Sequence, residues 1–237
     1  MNIELSSIYK LLKKKYGSQG WWPIVNPDTG KSEYDLGVPR NTDDIFEIAI
    51  GAILTQNVAW INVEKGIANL KRAGIFSPQS LLKAKEDKIA SLITSTGYYN
   101  QKAKKIKNFL QWFKTYDFNF QNFSKLKIEE MRRQLLEIKG IGPETADSIL
   151  LYGLKKKIFV VDAYTKRIFS RLGFFPESYS YEQMQEFFHN NFKGNVSSYN
   201  DFHALIVVHG KDICKNDPLC GQCFLNSYCI YCLDHLG

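Results

Sequence analysis

The residues with the most distinctive chemistry are the cysteines. All five lie in the last 24 positions, within CKNDPLCGQCFLNSYCIYC. Cys214, Cys220, Cys223 and Cys229 follow the spacing C-x5-C-x2-C-x5-C, and Cys232 is left over. In a reducing compartment such clustering points to a metal or cluster site rather than disulfides. Four thiolates suit either an iron–sulfur cluster or zinc. A second feature is Gly140-Ile141-Gly142, a very short joint between two amphipathic helical segments. Glycines allow a tight reversal and let a phosphate approach the backbone closely. The helix that begins at once would aim its free N–H groups and positive dipole end at that phosphate, and Ile141 could plug the joint into the core. Asp162, in VVDAYTKR, reads on its own as the N-cap of the following helix. The adjacent indoles of Trp21 and Trp22 seek burial or a stacking partner.

The elements that must carry these residues are helical. Ile8, Leu11 and Leu12 form an apolar stripe on a first short helix. A turn-rich stretch, GSQGWWPIVNPDTGKSEYDLGVPRN, follows it. Asn41 to Asp44 supply capping chemistry for IFEIAIGAILTQ, which is apolar almost all round and so predicts the buried central helix of a bundle. Ser77-Pro78 starts another helix, and runs are expected at 81–93, 102–112, 128–138, 143–152, 164–172, 183–192 and 202–209. No alternating run is long enough for a substantial sheet, so the class is all-α. The net charge of +7 suits a polyanionic partner, although the lysine groups at 13–15, 102–107 and 155–157 each read as a solvated face or loop. The N-terminus, MNIELSSIYKLLKKKYG, has no signal-peptide pattern, and no apolar stretch approaches a membrane span. A cytoplasmic, nucleoid-associated monomer that does not engage a membrane is expected.

The segment LLEIKGIGPETADSIL followed by VVDAYTKR resembles the helix-hairpin-helix, Gly/Pro-rich loop and aspartate of the endonuclease III superfamily of DNA glycosylases. The resemblance runs from Trp21 to Cys229. It implies a two-domain fold: a six-helix barrel with the hairpin over 37–156, and a discontinuous helical domain of 1–36 plus 157–237 with the cysteine loop. It implies that Asp162 is the catalytic carboxylate, and that Gly140, Ile141, Gly142, Glu144 and Thr145 bind DNA. It makes Cys214, Cys220, Cys223 and Cys229 the ligands of a [4Fe–4S] cluster. The first gap is one residue shorter than the family's C-x6-C-x2-C-x5-C, and the His-Gly pair upstream favours iron–sulfur over zinc. GAILTQN matches the family segment whose glutamine, here Gln56, enters the DNA stack. TGYYNQKAKKI matches the one whose residue, here Tyr98, fills the gap opposite the extruded nucleotide.

WWP, LTQN and GYYNQKAKK together resemble the 3-methyladenine glycosylase III branch most closely. That branch acts on duplex DNA containing damaged bases. An alkylated purine such as 3-methyladenine is cationic, and indole faces attract such a ring. Trp21, Trp22 and Trp60 are therefore the pocket candidates, with Trp60 expected one helical turn beyond Gln56 and Lys211 reaching the pocket by analogy. Bifunctional relatives carry a lysine where this chain has Glu144, and a carboxylate cannot form an imine. The resemblance implies a monofunctional N-glycosyl hydrolase without AP lyase activity. The alternatives are an oxidised-base glycosylase that nicks, an enzyme that removes adenine opposite oxidised guanine, and a non-catalytic DNA-damage binder.

Overall fold

The computed structural model describes residues 3–236. The chain divides into two units, Gly20–Lys156 and Met1–Gln19 with Lys157–Gly237. Both are helical, and the described residues include one two-residue antiparallel ribbon, β1 (Ile24–Val25) against β2 (Ser32–Glu33). No described helix is long and apolar enough to cross a membrane.

The continuous unit is built around α2 (Thr42–Leu54). Asn41 caps it by accepting the Asp44 N–H at 2.9 Å. Phe46 to Leu54 are all buried, as an almost wholly apolar helix requires. The exception in composition is Glu47, whose carboxylate accepts the Val25 N–H at 2.6 Å and pairs with Lys71 of α3 (Trp60–Arg72). Burial pushes the Glu47 carboxyl above its ordinary range despite Lys71. The Arg72 guanidinium reaches the Pro27 carbonyl at 2.8 Å. These bonds tie residues 20–36 to α2 and α3. The stretch expected in the discontinuous domain thus lies in the Gly20–Lys156 unit.

The run expected at 81–93 divides into α4 (Pro78–Lys83) and α5 (Glu86–Leu92), because Ala84 and Lys85 are extended. Ser77 caps α4 with proline in its first turn. α6 (Tyr99–Lys114) and the short α7 (Phe120–Phe123) precede the hairpin, formed by α8 (Ile128–Glu137) and α9 (Pro143–Ser148). α9 runs on as a π-helical turn over Ile149–Gly153.

In the discontinuous unit, α1 (Leu5–Tyr16) packs on α12 (Val196–Asp212), and α10 (Ala163–Arg171) packs on the same helix. Asp201 of α12 gathers Tyr9 Oη at 3.0 Å, Lys13 Nζ at 3.1 Å and Ser18 Oγ at 3.3 Å. Phe159 stacks on Phe188 of α11 (Tyr181–Asn191) with centroids 3.9 Å apart, and Phe169 and Phe202 meet the same ring edge-on. The cysteine loop leads into α13 (Ile230–Leu236).

Candidate active site

The hairpin positions its glycines as the sequence suggests. Gly140 has φ +100°, a conformation that favours glycine, and a Cβ there would stand 2.5 Å from Lys105 Cγ. Ile141 is buried and Gly142 is the extended N-cap of α9, where a Cβ would meet nothing within 4 Å. Arg132 of α8 clamps Asp147 of α9 with bonds of 2.8 and 3.2 Å, and the Asp147 side chain is wholly buried. This pair locks the two helices about the turn. Glu144 is exposed on the first turn of α9, and Thr145 is buried beneath it.

Gln56 joins the hairpin directly. Its amide donates to the Gly140 carbonyl at 3.1 Å and to Thr145 Oγ1 at 3.0 Å, while Lys105 donates to its Oε1. Lys102 is not on a solvated face, as the lysine run suggested: it is 2% exposed and donates to the carbonyls of Leu54 at 2.8 Å and Thr96 at 2.7 Å. One ammonium thus links the end of α2, which leads to Gln56, with the loop that leads to Tyr98. Burial, helped by Lys105, lowers the Lys102 pKa to about 8. Tyr98 is 70% exposed with φ +45°, so its ring is not a core residue. Lys139 is exposed, and its carbonyl accepts from Asn108 at 2.9 Å.

The three tryptophans converge. Trp60 meets Trp21 at 5.0 Å and Trp22 at 5.3 Å, both edge to face, and Trp21 and Trp22 are 5.1 Å apart. Trp60 is not one turn along a helix from Gln56. α2 ends at Leu54, Asn57 takes a left-handed conformation (φ +55°), and Trp60 is the first residue of α3. Its indole N–H donates to Ser32 Oγ at 2.8 Å, and Glu64 in turn accepts the Ser32 N–H at 2.6 Å. Trp22 lies against Gly51, where a Cβ would come within 3.0 Å of its Nε1. Trp22 and Trp60 are buried, whereas Trp21 keeps exposed surface beside Tyr34, 6.2 Å away.

In the other unit, Asp162 is the N-cap of α10. Its Oδ1 accepts the Thr165 N–H at 2.7 Å and Thr165 Oγ1 at 2.8 Å. Its Oδ2 faces His203 Nε2 at 3.6 Å, and 12% of its side chain is exposed. Burial would push this carboxyl up, but the imidazole and the two Thr165 bonds outweigh it and hold it below its ordinary range. The result is a shielded carboxylate that stays ionised. Lys211, the other expected residue in this unit, is exposed near the end of α12. The tryptophans belong to the other unit.

The cysteines gather at one place. Cys214, Cys220, Cys223, Cys229 and Cys232 line a single cavity with Arg171. Arg171 Nη1 lies 3.5 Å from Cys214 Sγ, and His209 Nε2 lies 3.6 Å from Cys223 Sγ. Burial holds His209 down at about 4, so its ring is neutral, and Tyr16 Oη meets its Nδ1 at 2.9 Å. Burial also pushes the Cys223 thiol up to about 11.

Sequence reasoning missed His203, Lys102, Arg132 and Ser32. Nothing in the local pattern around His203 marks it, because its partner lies on another helix. For Lys102 a faint signal existed: it precedes Ala103 and Ile106, which share the buried face of α6.

The chain is similar in sequence and in fold to known DNA repair proteins. The family model described as HhH-GPD superfamily base excision DNA repair protein matches residues 50–193. A Methanocaldococcus jannaschii protein, provisionally named a DNA repair glycosylase, is 40% identical over 94% of this chain and 94% of its own length. Endonuclease III of Sulfolobus acidocaldarius is 30% identical over 86% of this chain and 89% of its own. Among solved structures, the H. pylori 3-methyladenine DNA glycosylase MagIII bound to 1,N6-ethenoadenine superposes with a TM-score of 0.68 at 27% identity, covering 88% of this chain and 98% of that one. A non-covalent endonuclease III–DNA complex gives a TM-score of 0.75 at 18% identity, covering 98% and 96%, which shows the shared fold.

Proposed function

The chain belongs to the HhH-GPD superfamily of base excision DNA repair glycosylases, and on that premise we propose that it is a monofunctional glycosylase that removes alkylated purines, 3-methyladenine foremost. The observation that carries the substrate reading is the tryptophan cluster: two buried indoles brace a third, Trp21, that keeps exposed surface. An electron-rich face of this kind attracts a cationic ring by stacking and by cation–π contact. The alkylated base already carries the charge that makes it a good leaving group, so little acid catalysis is needed.

The chemistry falls to Asp162. As the N-glycosidic bond breaks, positive charge builds on the deoxyribose. An ionised carboxylate beneath C1′ stabilises that charge and can orient or deprotonate the attacking water. His203 and Thr165 keep the carboxylate ionised within its shielded position. Glu144 stands where an imine-forming amine would be needed, which supports hydrolysis without strand nicking. The Gly140–Gly142 turn and the N-terminus of α9 would grip a DNA phosphate, while Gln56 and Tyr98 would hold open the gap left by the flipped nucleotide.

The cysteine cavity fits a [4Fe–4S] cluster held by Cys214, Cys220, Cys223 and Cys229. Thiols lining one cavity are the soft donor set that such a cluster takes. Such a cluster would supply a rigid cross-link for the loop that follows α12.

The test is incubation of the purified protein with methylated duplex DNA, chromatography of the released bases and an alkali-free control for nicking. Release of 3-methyladenine without nicking is expected. Absence of release, or release with nicking, overturns the substrate or the mechanistic reading respectively.

A further inference from the structure

A carboxylate lies beside the tryptophan cluster without a cation to neutralise it. Glu64 stands one turn beyond Trp60 on the same face of α3 and is 8% exposed. Its Oε2 accepts the Ser32 N–H at 2.6 Å, and the Ser32 hydroxyl accepts the Trp60 indole N–H at 2.8 Å. One residue of β2 thus touches both the carboxylate and an indole that braces Trp21. The same carboxylate acts on Tyr34, whose phenol is pushed up by burial and by Glu64, and the Tyr34 ring lies 6.2 Å from Trp21. The other buried glutamate of this unit, Glu47, also accepts a backbone N–H but is paired with Lys71. Among the described residues no lysine or arginine pairs with Glu64. A buried charge without a partner is costly. Fastening β2 needs only an acceptor, which a neutral amide would supply, so that task leaves the charge unexplained.

We propose that Glu64 is the specificity residue for base charge: its carboxylate draws a positively charged purine to the Trp21 face and ranks cationic lesions above neutral bases of the same shape. The proposal rests on the substrate reading above. An aromatic face alone attracts a cation modestly, and a full negative charge behind the cluster adds to it. At the effective dielectric of a protein, opposite unit charges about 12 Å apart still attract by roughly tenfold in an equilibrium. A neutral purine gains the stacking and not this attraction.

The experiment compares two DNA duplexes that differ at one nucleotide, both with a 2′-fluorine that stabilises the glycosidic bond. One carries 3-methyladenine, which is cationic, and the other 3-methyl-3-deazaadenine, which has the same shape and no charge. Binding of the full-length wild type, E64Q and E64D is read by fluorescence anisotropy, and urea unfolding checks each variant. The wild type is expected to prefer the cationic duplex. E64Q keeps an acceptor for Ser32 and loses the charge, so its preference should fall by about tenfold. E64D keeps the charge and should keep most of the preference. A preference unchanged in E64Q, or lost as completely in E64D as in E64Q, reduces Glu64 to a fastener of β2 and overturns the proposal. Because E64Q could fail to fold, the wild type is itself a test: equal affinity for the two duplexes overturns the proposal. A wild type that releases no 3-methyladenine from methylated DNA overturns the substrate reading instead, an outcome distinct from release with a charge preference that E64Q retains.

Discussion

Replacing His203 by alanine separates the capping of α10 by Asp162 from the proposed catalytic role of its carboxylate. One carboxylate oxygen is committed to capping α10 through Thr165, at 2.7 and 2.8 Å, and the other faces the imidazole at 3.6 Å. Burial opposes ionisation, and the imidazole and Thr165 together overcome it. In His203→Ala the Thr165 bonds remain but the imidazole is gone, so the carboxyl pKa in the folded protein rises. At 3.6 Å the imidazole acts on the carboxylate as a neighbouring charge, and such a partner favours the ionised form by roughly tenfold or more, about 1.4 kcal/mol at the lower end. The sign follows from the direction of the shift. Because the folded-state pKa of Asp162 is depressed, its contribution to stability is complete above the unfolded value of 3.8 and is lost as pH falls through the folded value. His203→Ala is therefore expected to lose about 1.4 kcal/mol near neutral pH and much less in acid. The assay is single-turnover base release across the acid range, beside urea unfolding at neutral and acid pH. The acid limb of the rate profile should move toward neutrality in His203→Ala. Asp162→Asn, which can still cap the helix, should lower the rate at every pH by about 10²–10⁴-fold. An acid limb that stays in place while stability falls would reduce His203 to a packing residue. An unchanged rate in Asp162→Asn would refute the catalytic assignment.

Three further outcomes follow from the geometry. The Lys102 pKa is lowered from 10.5 to about 8, so the unfolded chain binds the extra proton between these values and stability should rise with pH across that window, by about 3 kcal/mol from this group; the rise should shrink in Lys102→Met, measured by urea unfolding over the same range. Gly140→Ala combines a φ of +100° with a contact of 2.5 Å to Lys105, and should cost about 1–3 kcal/mol and weaken binding to a DNA duplex carrying an abasic-site analogue, read by melting and fluorescence anisotropy. Tyr98→Ala removes a side chain that is 70% exposed, so stability should stay within about 0.5 kcal/mol while base release from duplex DNA falls; an unchanged rate would remove Tyr98 from the gap-filling role.

Some of this protein is written in short stretches of chain. The all-round apolar character of residues 45–54 is enough to bury α2, because no face of such a helix tolerates water. The Gly-Ile-Gly joint determines a tight hairpin, since only glycine takes the backbone conformation found at Gly140 without strain. The cap at Asp162 and the crowding of five cysteines are local as well. The tertiary structure alone decided what these features meet. His203 reaches Asp162 because α10 and α12 pack together, and Lys102 turns inward because the carbonyls of Leu54, at the end of α2, and of Thr96 lie within its reach. Gln56 is joined to the hairpin, and Trp60 to the tryptophan pair, only once the chain has broken out of α2 and turned. Caps, turns and periodicity depend on neighbours a few residues away, and so they survive in the sequence. Pairings across helices depend on packing that brings distant side chains within a few ångströms, and no short-range pattern records it.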